Sequence, residues 1–213
     1  MIKLFAMIAA LAAARAVTGI ASSFLEDYAV CLVSCLMYIL ISVLFYDKPK
    51  NERKSFGIGK GALMLLFFLC TSVFASSLAS LAFSVTPQRV TALRGAIAVV
   101  AVPFAEELFF RATLFKKLYT TLPLIPSVLI SSLIFALCHG NVAAVTVSFL
   151  LGIILAFIYR YTGRIMFVTL CHAVNNLLAA LVIIPQELLL PVTAVSFFAL
   201  CLIFLLAKRK FFK

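Results

Sequence analysis

Eight apolar runs follow one another almost without interruption along this chain of 213 residues, at about 2–22, 28–46, 61–84, 92–115, 124–139, 142–159, 164–184 and 188–207. A membrane-crossing helix needs about 20 predominantly apolar residues, and several of these runs meet that length. Composition agrees: 65% of residues are hydrophobic and 12% charged, with a mean hydropathy of +1.22. Soluble domains carry about 25% charged residues. The expected fold is an all-α integral membrane protein of about eight transmembrane helices. Residues 1–213 form one polytopic domain with no room for a soluble one, so any active site lies within the bilayer or at its surface.

The net charge of +11 does not point to nucleic acid, because most Lys and Arg residues sit in short connections beside apolar runs. There they act as orientation signals and contacts to anionic lipid. Lys48, Lys50, Arg53, Lys54 and Lys60 fill the second connection, Lys116 and Lys117 the fourth, and Arg160 and Arg164 the sixth. Lys208, Arg209, Lys210 and Lys213 follow the last run, whereas Glu26, Asp27 and Glu187 mark connections on the other side. Arg89 and Arg94 alone break the alternation. Positive-inside counting therefore places both termini in the cytoplasm, as an even number of spans requires. Short loops and compact size fit a bacterial plasma membrane. The first run, with Lys3 and Ala-Ser-Ser near residue 22, has features of a signal peptide, but Arg15 interrupts it and a retained helix is the expectation. Cys31, Cys35, Cys70, Cys138, Cys171 and Cys201 all fall in apolar runs, form no CxxC, and read as small hydrophobes.

Ionisable groups inside such runs are costly, at roughly 2.5–3.5 kcal/mol each at the bilayer centre, and mark function. Three polar islands stand out, and they include both histidines of the chain. The first holds Glu106, Glu107 and Arg111, after Pro103. Glu107 and Arg111 are i,i+4 neighbours able to pair along one helix face, while Glu106 points about 100° away and is left for chemistry. The plain alternative is a structural ion pair with Arg111 snorkelling to the cytoplasm, which leaves Glu106 unexplained. The second island is Phe135 and His139, again i,i+4, an aromatic wall beside an imidazole. The third is His172 with Asn176 at i+4 and Asn175 at i+3; polar glue between helices is its plain alternative. Counting about 1.5 Å per residue, Glu106 lies roughly 15 Å from the cytoplasmic end, His172 about 12 Å, Asn176 about 18 Å and His139 about 18–23 Å. These depths permit one cavity. Peptide hydrolysis needs a base for water and donors for the oxyanion, and an acid, two imidazoles and an amide meet that need.

The strings Glu106-Glu107-x-x-x-Arg111, Phe135-x-x-x-His139 and His172-x-x-x-Asn176 resemble the three signature motifs of the CPBP intramembrane proteases. That family includes type II CAAX prenyl endopeptidases and bacterial homologues tied to bacteriocin processing or self-immunity. The likeness runs from Glu106 to Asn176, within a motif-bearing core at 92–184; Ala112 departs from it, standing where many relatives have Gly. The resemblance implies an eight-helix glutamate-dependent endopeptidase in which Glu106 and His139 activate water and His172 and Asn176 form the oxyanion site. Glu107, Arg111, Phe135 and Asn175 support them. It implies a peptide or protein substrate, lipidated or membrane-associated, but not its identity. Members are often labelled metalloproteases, and Glu106, His139 and His172 would be the three zinc ligands. No HExxH is present, so a cofactor-free mechanism is the expectation. Two rivals are a small transporter with an acid–His proton relay, which predicts inverted repeats that the sequence lacks, and a non-catalytic immunity or scaffold protein of the same fold.

Overall fold

The computed structural model describes residues 2–45, 57–83 and 92–211, with side chains to 205. The charged residues at 48, 50, 53, 54, 89 and 213, and the side chains at 208–210, lie outside the described part. In order, the helices are α1 (Ile2–Ala21), α2 (Asp27–Phe45), α3 (Ile58–Phe83), α4 (Ala92–Glu107), a π-helical stretch (Leu108–Phe115), α5 (Lys116–Tyr119), α6 (Leu124–Leu137), α7 (Val142–Thr162), α8 (Ile165–Leu181), a short 3-10 turn (Gln186–Leu188) and α9 (Leu189–Phe211). All-helical structure is what lipid demands, since a helix satisfies its backbone polar groups internally. The apolar runs match these helices run for run, with α4, the π stretch and α5 forming one continuous rod from the fourth.

Among the described residues, five helices are long and apolar enough to cross a membrane, and α6 and α8 are shorter apolar helices of 14 and 17 residues. This refines the expectation of about eight transmembrane helices. The fifth run stops being helical at Leu137, so His139 lies in the turn that follows rather than in the helix. The sixth continues to Thr162, where Gly163 adopts a left-handed φ of 62° and donates its N–H to the Tyr159 carbonyl at 2.7 Å. Glycine takes that conformation without a Cβ penalty, and the chain turns sharply into α8.

The rod built from α4 and the π stretch occupies the middle of the bundle, touching α2 on one side, α8 on another, and α6 and α7 through the π stretch. α1 packs on α2, and α9 packs on α3, which joins the rest through α7 and α8. Lipid tails are as apolar as Leu, so association here depends on close packing and interhelical polar contacts rather than on hydrophobic transfer. The main core accordingly interlocks rings. Tyr38 of α2 stacks on Phe109 with centroids 5.7 Å apart and meets Phe110 edge-on at 5.6 Å. Phe110 in turn meets Phe135 of α6 at 5.1 Å. Between α6 and α7 the contact is made by small residues. A Cβ on Gly152 would meet Ser132 Cβ at 3.1 Å and Phe135 Cδ1 at 3.2 Å.

At the opposite end from the π stretch, Asp27 and Arg94 form an ion pair at 2.7 Å. That pair accounts for one of the two basic residues that break the charge alternation, because Arg94 carries its own counter-charge.

Candidate active site

Pro103 inside α4 has no N–H to give the carbonyl one turn earlier. One turn later the rod departs from α geometry altogether. Over Leu108–Phe115 it is π-helical, and the Thr113 hydroxyl donates to the Leu108 carbonyl five residues back at 3.0 Å. Single widened turns of this kind recur at functional sites. Glu106 and Glu107 stand at the point of change and Arg111 lies inside the stretch.

These groups are deeply enclosed. Glu107 is 0% exposed, Arg111 1%, His172 6% and Glu106 7%. Arg111 is therefore not snorkelling to an aqueous surface. Its Nη1 lies 3.0 Å from Glu107 Oε1, its Nη2 donates to the Gly152 carbonyl at 3.4 Å, and its Cζ sits 4.2 Å from the Phe135 ring centre. The same Glu107 oxygen accepts from His172 Nδ1 at 2.8 Å. Glu107 thus ties the end of α4 to α8 as well as neutralising Arg111, a second task that i,i+4 spacing does not reveal.

With Nδ1 committed to Glu107, the other ring nitrogen of His172 faces Glu106, its Nε2 lying 3.8 Å from Oε2. That oxygen is buried without a hydrogen-bond partner, as is Oε2 of Glu107. A buried carboxylate oxygen left without a partner costs free energy, which is tolerated where the group has work to do. Glu106 and Glu107 therefore differ sharply. One is engaged by a guanidinium and an imidazole, the other only approached.

His139 takes a different position from the expected one. It does not pair with Glu106; the imidazole beside Glu106 is His172. His139 Nδ1 lies 2.9 Å from the Phe135 carbonyl, and because a carbonyl can only accept, Nδ1 carries the proton. Nε2 is then left with a lone pair in the neutral ring. Both imidazoles rest on one aromatic ring: Phe135 meets His139 at 4.7 Å and His172 at 5.9 Å, each edge-to-face. The aromatic wall expected beside His139 therefore serves both histidines and Arg111.

Asn176 donates one amide hydrogen to the Ala98 carbonyl at 2.8 Å, and its Oδ1 accepts from Asn175 Nδ2 at 3.1 Å. One N–H of Asn176 remains for an oxyanion, fewer than the free amide envisaged from sequence. The zinc alternative needs Glu106, His139 and His172 together. Among the described residues no three His, Cys, Asp or Glu side chains gather closely enough to hold a metal ion. The residues as placed do not fit that site.

Residues 88–178 match the family model described as type II CAAX prenyl endopeptidase Rce1-like. Through that stretch the chain is similar to the CPBP intramembrane proteases. No curated protein and no solved structure matches the chain. The matched stretch contains α4, the π stretch and α5–α7, with α8 through Leu178, and so every site residue named from sequence.

Two contributors escaped the sequence reading. Gly152 supplies a carbonyl to Arg111 and, lacking a Cβ, lets α6 approach. Its signal was available, as the only glycine within the sixth apolar run. Ser72 of α3 lies outside the matched stretch, yet its hydroxyl donates to Asn175 Oδ1; nothing in its surroundings distinguishes it from the other serines of that run.

Proposed function

We propose that this protein is an intramembrane endopeptidase that hydrolyses a peptide bond with a Glu106-activated water. The observation that carries the proposal is the partnerless buried oxygen of Glu106, set 3.8 Å from an imidazole nitrogen whose ring is held by Glu107 and Arg111. A water hydrogen-bonded to both Glu106 Oε2 and His172 Nε2 gives its proton to the carboxylate as its oxygen attacks the carbonyl carbon. The tetrahedral oxyanion is met by the remaining N–H of Asn176, while His139, whose one N–H is held by the Phe135 carbonyl, packs across the Phe135 ring. Protonated Glu106 then passes its proton to the leaving nitrogen as the C–N bond breaks, which restores the carboxylate. Phe135 keeps both rings in place and limits competing water.

The multi-pass chain takes a membrane-associated peptide or protein as substrate. We assign both termini to the cytoplasm and the protein to a bacterial plasma membrane, on the alternation of basic and acidic connections and the self-compensated Arg94. The test is cleavage by the purified protein in liposomes, using quenched fluorescent peptides with and without an S-prenylated cysteine near the C-terminus. Wild type should cleave and Glu106→Gln should not. Equal turnover by the two would end the proposal.

A further inference from the structure

Hydroxyls on membrane helices commonly bond to a carbonyl one turn back on their own helix, and Thr71 of α3 does so with Phe67 at 2.9 Å. The adjacent Ser72 does not. Its hydroxyl crosses to α8 and donates to Asn175 Oδ1. From there Asn175 Nδ2 donates to Asn176 Oδ1 at 3.1 Å, and Asn176 Nδ2 donates to the Ala98 carbonyl of α4 at 2.8 Å.

The polarity of this line is forced from its far end. A backbone carbonyl can only accept, so the Nδ2 of Asn176 must face Ala98. Oδ1 of Asn176 must then face Asn175, whose own Nδ2 is the matching donor. That leaves Asn175 Oδ1 turned toward α3, where only a donor will satisfy it. Ser72 is that donor. Three helices are joined by one unidirectional line of hydrogen bonds, ending on α4 about two turns before Glu106 and passing through α8 about one turn after His172.

We propose that Ser72 is a positioning residue of the site. Its hydroxyl fixes the Asn175 and Asn176 amides and, through them, the register of α8 on α4 that holds His172 Nε2 beside Glu106 Oε2. The proposal rests on the peptidase reading above. It extends the functional unit to α3, beyond the stretch that matches the family.

The experiment uses the full chain in liposomes with the same quenched peptides, comparing Ser72→Ala, Ser72→Thr, Asn175→Ala, the Ser72→Ala/Asn175→Ala double variant and Glu106→Gln. Ser72→Ala should lose roughly tenfold in kcat with KM unchanged, the pattern of a group that acts on the transition state. Ser72→Thr, which keeps the hydroxyl, should return to within about twofold of wild type, and the double variant should be no worse than Asn175→Ala alone. A purely structural serine would lower the melting temperature but leave kcat per folded molecule unchanged, and that result overturns the inference. If Ser72→Ala does not insert, Ser72→Cys takes its place: a weak donor should show the same loss confined to kcat, and full kcat would overturn the inference. An inactive Glu106→Gln with a fully active Ser72→Ala removes the inference alone. Cleavage retained by Glu106→Gln, or absent from wild type, removes the peptidase reading and the inference with it.

Discussion

The region around the π stretch and the α3–α9 pair treat polar groups in opposite ways. On α3 and α9, Ser72 apart, the bonded hydroxyls are satisfied at home: Thr71 bonds to Phe67, Thr193 to Leu189 at 2.6 Å and Ser196 to Val192 at 2.6 Å. The groove between these two helices, lined by residues such as Leu69, Val73, Val192 and Val195, is almost wholly apolar. Around the π stretch the polar groups instead reach from helix to helix, Arg111 to α7, His172 to the rod and Asn176 to α4. The difference separates two uses of polarity in lipid. A hydroxyl that bonds to its own helix is nearly neutral for the fold, whereas a charge that bonds across helices commits them to one arrangement.

Substitutions can break that contrast at graded strength. Glu106→Gln, which preserves shape and removes the base, should lower kcat about a thousandfold, within the 10²–10⁴ range of general acid–base catalysis. It should leave thermal stability in detergent at or above wild type, because a buried charge with no close partner is removed. Loss of stability alongside activity would show that Glu106 is structural like its neighbour. Glu107→Ala should instead strip both Arg111 and His172 of their partner and cost about 3–5 kcal/mol in reversible unfolding, as breaking a buried pair does. A near-neutral result would mean that the paired region is no more committed than α3–α9. Gly152→Ala forces a methyl against Ser132 and Phe135 and should cost about 1–3 kcal/mol, with slower cleavage as Phe135 shifts under the two imidazoles. Melting and kinetics on one preparation would check both. At the quiet end, Thr193→Val on α9 should change stability by no more than about 0.5 kcal/mol and leave turnover unaltered; a larger effect would erase the distinction between the regions.

What could be read from the sequence follows the range of the interactions involved. Hydropathy depends on each residue and its chain neighbours, so all eight apolar runs returned as helical segments. The pairs four residues apart also returned: Glu107 with Arg111 at 3.0 Å, and Phe135 with His139 at 4.7 Å between ring centres. Contacts set by packing between helices did not. Nothing in the order of residues 108–115 separates a π turn from an α turn. The pairing of Glu106 with His139 is what the family resemblance implies. His172 lies nearer because Glu107 draws it in, and that bond connects residues 65 positions apart. Ser72 was invisible for the same reason, since its partner lies 103 positions away.

The brevity of α6 has a consequence for the surrounding membrane. Fourteen residues of helix rise about 21 Å, against a hydrocarbon layer of about 30 Å. The turn carrying His139 therefore ends short of one leaflet's headgroups, and the lipids there must sag to meet it. On the proposed peptidase reading, each cycle would consume a water molecule, and such a dimple would shorten the journey that molecule makes through oil.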